Sequence, residues 1–187
     1  MLDGINGCIM AYGQTGSGKT YTVCGPAIDN YPDRGTVTRS ITRTFTYPFI
    51  SGLALRTVGF LFERIRNLTS KTSSVTIRLS ALEIYNEKIT DLLKDIASNP
   101  NLLIHPSTFE QKEDTGNAYG HNLAIVDTVN GVMVPSLYIV PVTSEEDTYS
   151  LLLEAFSSRV VREHQLNKRS NRSHVIYTFY INKVSPF

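Results

Sequence analysis

The spacing of apolar residues in the first half of the chain predicts a strand, two helices and a second strand. Ile5–Tyr12 is a short apolar run that leads into glycine-rich sequence, as a buried strand followed by a turn would. A helix is then expected to begin at Lys19–Val23. Leu53–Leu68 carries apolar residues three and four positions apart, which predicts a helix with one buried face. Val75–Tyr85 begins with alternating apolar and polar residues and is predicted to be a strand.

The middle of the chain combines polar connections with one strong turn signal. Asn86–Lys94 is interpreted as a short helix, and Ala97–Tyr119 as a loop. Leu123–Val134 contains two apolar runs on either side of Asn130-Gly131, a residue pair that favours a tight β-hairpin. A hairpin is therefore expected at this place.

The last third of the chain predicts a long helix and a covered strand. Thr143–Glu146 resembles a capping box, which would open a helix. The buried face of that helix is expected to consist of Tyr149, Leu152, Leu153, Phe156 and Val160. His174–Ile181 is apolar on both faces, as in a central strand that is covered on both sides. Strands that alternate with helices indicate an α/β layered fold.

Composition narrows the class of protein only a little. The 187 residues include 18 basic and 17 acidic side chains, and a net charge of +1 gives no reason to expect a nucleic-acid-binding protein. No apolar run approaches the roughly 20 residues that span a bilayer, so no membrane partner is expected. The N-terminus lacks the basic start of a signal peptide. Cys8 and Cys24 have neither metal-ligand nor disulfide spacing, which is typical of reduced thiols in a cytosolic protein.

One segment carries a specific chemical signal, the pattern G-x-x-x-x-G-K-[ST] of a phosphate-binding loop. Glycines in this pattern allow backbone N–H groups to surround a phosphate. The lysine would reach the β- and γ-phosphates, and the final hydroxyl would ligate Mg²⁺. The residues of the loop are Gly13, Gln14, Thr15, Gly16, Ser17, Gly18, Lys19 and Thr20.

Two other interpretations of this segment remain open. A glycine-rich turn can match the pattern by chance, but the predicted strand before it and helix after it are the context that a phosphate-binding loop requires. The chain could also be a P-loop NTPase of another class, with Leu123–Asp127 as its Walker B strand. A Walker B strand should lead into a crossover connection, whereas Thr128–Gly131 predicts a direct turn into an antiparallel partner.

Three segments resemble the motor domain of the kinesin family, in the order that the family has them. Ala11–Thr22 reads AYGQTGSGKTYT, and Leu82–Leu93 reads LEIYNEKITDLL. Asn167–His174 reads NKRSNRSH, which is similar to the family's switch I motif N-x-x-S-S-R-S-H. The resemblance covers nearly the whole chain except Thr36–Ser51 and parts of Ala97–Tyr119.

The resemblance implies a fold and an activity. The fold would be the α/β P-loop fold of a kinesin motor, a central, mostly β sheet flanked by helices, here truncated at both ends. Residues 1–187 would be a partial motor domain, from the phosphate loop through switch I. The implied activity is ATP hydrolysis with Mg²⁺, coupled to movement along microtubules. Tubulin is then the expected partner, and the cytoplasm and cytoskeleton are the expected location.

The resemblance also assigns roles to individual residues. Tyr21 occupies a position whose ring packs against adenine in the family. Ser170 and Ser173 would lie near Mg²⁺ and the terminal phosphate, with Thr20 and Ser173 as the metal-binding hydroxyls. Arg172 would form a salt bridge to a glutamate of switch II, and Arg159 matches an arginine in the helix that precedes switch I. The helix Glu145–His164 with its exit at Leu166-Asn167 resembles the subfamily of motile cilia and flagella.

The chain departs from the family pattern in the nucleotide-sensing segments. Asn171 stands where the family has the second serine of S-S-R-S-H, and an amide cannot replace a hydroxyl beside Mg²⁺ without rearrangement. No D-L-A-G-S-E switch II follows His174–Ile181. A second function is therefore open, that of a truncated or degenerate kinesin that binds nucleotide or a partner without turnover.

Thr36–Ser51 is an anomalous insertion before the second predicted helix. It contains no acidic residue, and the Gly-x-x-x-Arg pattern that starts this helix in kinesins occurs twice, at Gly35–Arg39 and at Gly52–Arg56. Only the second copy leads into a helix-like run. The segment is either an enlarged surface loop or non-coding sequence translated by a faulty gene prediction.

Overall fold

A computed structural model describes residues 2–25, 52–68, 74–94, 122–129, 131–165 and 173–184, with the backbone alone for 160–165. The helices within these residues are α1 (Lys19–Cys24), α2 (Leu53–Leu68) and α3 (Glu145–Gln165). The strands are β1 (Ser74–Tyr85), β2 (Lys88–Asp91), β3 (Val126–Thr128), β4 (Gly131–Met133), β5 (Val140–Val142) and β6 (Ser173–Val184). None of the helices in these ranges has the length and apolar character needed to cross a membrane.

The main sheet is built around β1. On one side, β1 pairs with β6 along its whole length, from Ser74 opposite Val184 to Tyr85 opposite Ser173. On the other side, the first half of β1 pairs with β5 and its end pairs with β2. All of these pairings are antiparallel, so β1 is the central strand of the described sheet.

One face of this sheet forms the main core with the three helices. β1 contributes Ile77, Leu79 and Ala81 to this face, and alternate residues of β6 pack partly against the same core. α2 contributes Leu55, Val58, Leu61 and Phe62. α3 contributes Tyr149, Leu151, Leu152, Leu153, Ala155 and Phe156. The opposite face carries a smaller cluster of Leu82, Ile89, Leu123 and Leu137.

Two elements predicted from periodicity are confirmed almost residue for residue. α2 has the predicted bounds, and β1 begins one residue before the predicted strand. Gly52 immediately precedes α2, and its carbonyl oxygen accepts a hydrogen bond from the N–H of Arg56 at 3.1 Å. The second Gly-x-x-x-Arg copy therefore starts a helix. The first copy and Thr36–Ser51 lie outside the described residues.

The long helix α3 is capped one residue later than the sequence predicted. Ser144 is the capping residue, because its Oγ accepts a hydrogen bond from the N–H of Asp147 at 3.0 Å. Three acidic residues occupy the first turn, where the partial positive charge of the helix N-terminus stabilises them. The predicted buried face is confirmed at Tyr149, Leu152, Leu153 and Phe156. The side chain of Val160 is not among those described.

The helix predicted at Asn86–Lys94 is wrong. Asn86 and Glu87 adopt left-handed backbone angles, with φ of 49° and 62°, and form a tight turn from β1 into β2. Asparagine tolerates this conformation better than most residues do. The spacing of Ile89, Leu92 and Leu93 imitated a helix, but the chain doubles back as a hairpin in which Ile89 faces Ile84.

The buried strand predicted at Ile5–Tyr12 is also wrong. The segment has no strand pairing in the described part of the chain, and Ile5, Met10 and Tyr12 are 72%, 79% and 95% exposed. An apolar run becomes a strand only where a neighbouring strand can satisfy its backbone N–H and C=O groups. Apolar composition alone does not supply that neighbour.

His174–Ile181 forms a strand, but not a central one covered on both sides. Within the described residues β6 pairs with β1 alone, and Ile176 is 46% exposed. The outward face includes Tyr180, whose ring lies 6.0 Å from the guanidinium carbon of Arg78. Aromatic and β-branched residues make the outward face of β6 apolar, which suggested that a further layer covers it. In the structure Tyr180 on this face instead contacts a side chain of the neighbouring strand β1.

The hairpin predicted at Leu123–Val134 is confirmed. β3 and β4 pair antiparallel, with Thr128 opposite Gly131, and form a separate two-stranded sheet. Val126 and Asp127, the part of the candidate Walker B segment that forms a strand, therefore pair antiparallel, which a Walker B strand of a parallel sheet does not do. The predicted loop at Ala97–Tyr119 lies outside the described residues.

We predict that Gly52→Ala destabilises the junction between α1 and α2. A Cβ at Gly52 would lie 2.4 Å from backbone atoms of Val23, Cys24 and Gly25, which cannot move aside as a flexible side chain can. The free energy of unfolding should fall by about 2 kcal/mol or more, measured by urea denaturation.

Gly59→Ala is the matched control within α2. Its Cβ would meet only side-chain atoms, the nearest being the Tyr149 hydroxyl at 3.0 Å, and alanine favours the helix by about 1 kcal/mol. If Gly52→Ala and Gly59→Ala lower the free energy of unfolding equally, collision of the Gly52 Cβ with the backbone of α1 is not the cause.

Asp91 predicts an unusual dependence of stability on pH. The residue is 2% exposed, and its carboxylate accepts hydrogen bonds from the backbone N–H groups of Leu93 at 2.8 Å and Tyr138 at 2.7 Å. Burial outweighs these bonds and the charge of Lys94, and raises the pKa of Asp91 from 3.8 to about 6. The folded protein therefore binds this proton more tightly than the unfolded chain does. Through this group, the free energy of unfolding should fall as pH rises from about 4 to about 6.

Urea unfolding of the wild type and of Asp91→Asn across this pH range tests the prediction. The asparagine side chain cannot ionise, so the free energy of unfolding of the variant should fall less with rising pH. The difference from the wild type should total on the order of 1–3 kcal/mol over this range. Asp127→Asn, at an exposed position of β3, should keep the wild-type slope. Identical slopes in the wild type and Asp91→Asn would refute the assignment.

Candidate nucleotide site

The predicted phosphate-binding loop connects the exposed segment before it to α1. Gly16 and Gly18 adopt φ of 78° and 84°, in the left-handed region that glycine enters without steric cost. The N–H of Ser17 donates to the carbonyl of Gln14 at 3.2 Å and closes a tight turn. Gly18 caps α1, and its carbonyl accepts a hydrogen bond from the N–H of Thr22 at 2.8 Å. These glycines are what allow the loop to curl back on itself.

Lys19 folds over this loop. Its ammonium group donates hydrogen bonds to the carbonyl oxygens of Gly13 and Gln14, each at 2.7 Å. The loop residues 13–18 are exposed, and Lys19 is half-buried at their base. The site is therefore an accessible loop with a fixed positive charge, which is an arrangement that binds phosphate groups.

Arg159 of α3 connects the loop to the start of β6. One terminal nitrogen, Nη1, lies 3.5 Å from the hydroxyl oxygen of Thr20. The other, Nη2, lies 3.5 Å from the hydroxyl oxygen of Ser173. The structure thus brings together two hydroxyl groups that the sequence placed 153 positions apart and that the resemblance assigns to Mg²⁺.

The charge of Arg159 is paired with Glu83 of β1. The Oε1 atom of Glu83 lies 3.8 Å from the Nε atom of Arg159, and the two side chains are only 11% and 14% exposed. Glu83 was not singled out from the sequence. The signal that could have found it is an acidic residue in the strand sequence LSALEIY, at a position where the neighbouring residues on the same face are buried.

Cys24, at the end of α1, is not a reactive thiol. It is 3% exposed, and burial raises its pKa to about 11, although the charge of Arg159 and the adjacent Tyr177 hydroxyl act in the opposite direction. Burial also raises the pKa of Tyr177, whose ring packs edge-on against Phe156 at 5.3 Å. No cluster of His, Cys, Asp and Glu that could hold a metal ion occurs among the residues whose structure is described.

The structure describes some of the predicted site residues and not others. The nine residues from Gly13 to Tyr21 are described, and the ring of Tyr21 is 62% exposed beside the loop. Ser173 is described as the first residue of β6. Ser170, Asn171 and Arg172 lie outside the described residues.

Comparison with known proteins gives one consistent family. The family model described as the kinesin motor domain matches residues 1–186. Kinesin-like protein KIF9 of Homo sapiens is 36% identical over 180 residues, which are 96% of this chain and 18% of that protein. Kinesin heavy chain of Botryotinia fuckeliana is 34% identical over 181 residues, 97% of this chain and 16% of its own length. The chain thus spans less than a fifth of either relative.

The fold agrees with the sequence matches. A solved structure of a fast kinesin superposes with a TM-score of 0.71 at 29% identity, and the match covers 98% of this chain and 41% of that one. The described strands and helices therefore have the arrangement of a known motor domain. The chain belongs to the kinesin motor-domain family.

Proposed function

We propose that this chain is the nucleotide-binding part of a kinesin motor, which couples ATP hydrolysis to movement along microtubules. The observation that carries the proposal is the ordered phosphate loop with Lys19 at its base, in a chain that the kinesin motor-domain model matches from end to end. The fast kinesin that it resembles has been studied for its ATPase mechanism and its interactions with microtubules.

In this proposal the loop residues Gly13–Thr20 hold the phosphates of ATP. Their backbone N–H groups and the Lys19 ammonium supply positive charge, and the exposed ring of Tyr21 packs against adenine. Catalysis then depends on positioning and on charge stabilisation rather than on a covalent intermediate.

Mg²⁺ fits the residues near this loop. The hydroxyls of Thr20 and Ser173 are hard oxygen donors of the kind that Mg²⁺ takes. In this structure the Arg159 guanidinium lies 3.5 Å from each of them, so both hydroxyls would have to turn from that cation to hold the ion. When bound, Mg²⁺ would neutralise phosphate charge, and phosphate oxygens and water would complete its ligands. Thr20 and Ser173 would hold the ion.

Switch I supplies the remaining roles. We assign Ser170 and Ser173 to the neighbourhood of the terminal phosphate, and Arg172 to a salt bridge with a switch II glutamate, on the strength of the NKRSNRSH sequence. Residues 1–187 are then part of one motor domain, with 36–51 as an insertion before α2. Sequencing of the transcript tests whether 36–51 is encoded.

The proposed partner is the microtubule and the proposed location is the cytoskeleton of the cytoplasm. The β3–β4 hairpin presents exposed apolar side chains, including Val129 and Val132, that are accessible to a protein surface. Location in a cilium or flagellum is a further proposal, which rests on the sequence of Glu145–His164. Imaging of the tagged protein in ciliated cells tests it.

A second function, nucleotide binding without turnover, is favoured by Asn171. The family has a serine at this position, and an amide side chain is larger and differs from a hydroxyl as a ligand. Hydrolysis would be affected more than binding, because the phosphate loop itself is intact.

Lys19→Ala should weaken nucleotide binding strongly. The substitution removes both 2.7 Å hydrogen bonds that hold the start of the loop and the charge that faces the phosphates. We expect affinity for a fluorescent ATP analogue to fall by about 100-fold or more, because a charged hydrogen bond and an ionic contact are lost together. Lys183→Ala, at an exposed position of β6, is the control and should bind as the wild type does. Equal affinity in Lys19→Ala would contradict the assignment of the loop.

Steady-state ATPase activity with and without microtubules separates the two functions. A motor should hydrolyse ATP faster when microtubules are added, and Lys19→Ala should lose that activity. ATP binding with no turnover under either condition would support the second function. Absence of binding would contradict both.

A further inference from the structure

Glu83 occupies a position where a charged group is costly. It lies on the face of β1 that packs against the helices, two residues after the fully buried Ala81 and opposite Val175 of β6. The whole residue is 8% exposed. A carboxylate this deeply buried requires a partner of opposite charge, and among the described residues that partner is Arg159.

Arg159 in turn contacts three elements of the fold. From α3, its guanidinium group reaches Thr20 in the first turn of α1, Ser173 at the start of β6, and Glu83 in β1. Thr20 follows Lys19 directly, and Ser173 is the first described residue of the segment that resembles switch I. The guanidinium therefore lies between the phosphate loop and the predicted nucleotide sensor.

The hydroxyl contacts of Arg159 are too long to fix its position. Both are 3.5 Å, at the outer limit of a hydrogen bond, and the buried Nε atom has no hydrogen-bond partner in the described ranges. The neighbouring Cys24 and Tyr177 have raised pKa values and supply no negative charge. The attraction that holds the guanidinium in place is thus the charge of Glu83, at 3.8 Å in a partly desolvated setting.

We propose that Glu83 is a positioning residue of the nucleotide site. Its carboxylate holds the Arg159 guanidinium between Thr20 and Ser173, and so fixes the start of β6 relative to the phosphate loop. This inference rests on the proposed nucleotide-binding function. Because Ser173 is assigned to the terminal phosphate, Glu83 should matter more for ATP, which has that phosphate, than for ADP.

Glu83→Gln is the first test, since it keeps the size of the side chain and removes its charge. We expect the Kd of a fluorescent ATP analogue to rise by about tenfold, a change typical of losing one charged contact, and the Kd of the matching ADP analogue to change by less than about threefold. Glu63→Gln, on the exposed side of α2, is the control and should leave both values unchanged. The ratio of the two affinities is the readout, because a general loss of stability would lower both.

A second set of variants separates positioning from stability. Glu83→Gln leaves the Arg159 charge buried without a partner and is expected to lower the urea midpoint. The double variant Glu83→Met with Arg159→Met removes both charges, and replacing a whole buried pair in this way is often neutral or stabilising. We expect the double variant to recover most of the midpoint but not the preference for ATP. When Glu83→Met is added to Arg159→Met, the ratio of ATP affinity to ADP affinity should not change further.

The results distinguish a failure of the proposed nucleotide-binding function from a failure of the role proposed for Glu83. If the wild-type chain binds neither nucleotide, the proposed function fails and this inference falls with it. If the wild type binds both but Glu83→Gln lowers the urea midpoint and leaves the ATP-to-ADP ratio unchanged, Glu83 is structural only and the inference is overturned. The inference is also overturned if Glu83→Met lowers the preference for ATP by the same factor with and without Arg159→Met. Glu83 would then act without Arg159.

Discussion

The pairing of β1 with β6 over twelve residues brings Glu83 and Ser173 to the same end of the main sheet. These two strands are about 100 residues apart in the sequence, and their register places Glu83 opposite Val175, two residues from Ser173. Side chains alternate strictly along a strand, so a slip of one residue would move Glu83 to the opposite face, away from α3. The same slip would expose Ile77 and Leu79, which are among the most buried residues of the core. Burial of the core therefore fixes the register, and the register fixes the site.

The core and the nucleotide site share one face of the sheet. α3 supplies the largest fully buried side chain, Phe156, and three residues later it supplies Arg159. Cys24 ends α1 inside the same cluster, a few residues after Lys19. A change in the packing of these helices would thus move the charged groups as well, which links the stability of the fold to the geometry of the loop.

Sequence patterns predicted best the elements whose signal lies within their own residues. α2, β1 and the β3–β4 hairpin each carry their own periodicity or turn residues, and the structure has them where expected. The errors concern elements that depend on partners. Ile5–Tyr12 has the composition of a strand without a neighbour to pair with, and Asn86–Lys94 has helical spacing but turns back at two left-handed residues. Glu83 was missed for the same reason, because its role exists only through Arg159, 76 positions further along the chain.

The close contact of Gly52 with the end of α1 has a consequence for the chain between these two points. Because Gly52 lies against Cys24 and Gly25, the two described residues that flank 26–51 are held close to each other. The entropy of closing a flexible loop grows only with the logarithm of its length, so doubling the length costs about 0.6 kcal/mol. A connection fixed in this way can lengthen or shorten at little cost to the folded state. The α1–α2 junction is therefore a place where the chain can accept inserted sequence while the phosphate loop keeps its geometry.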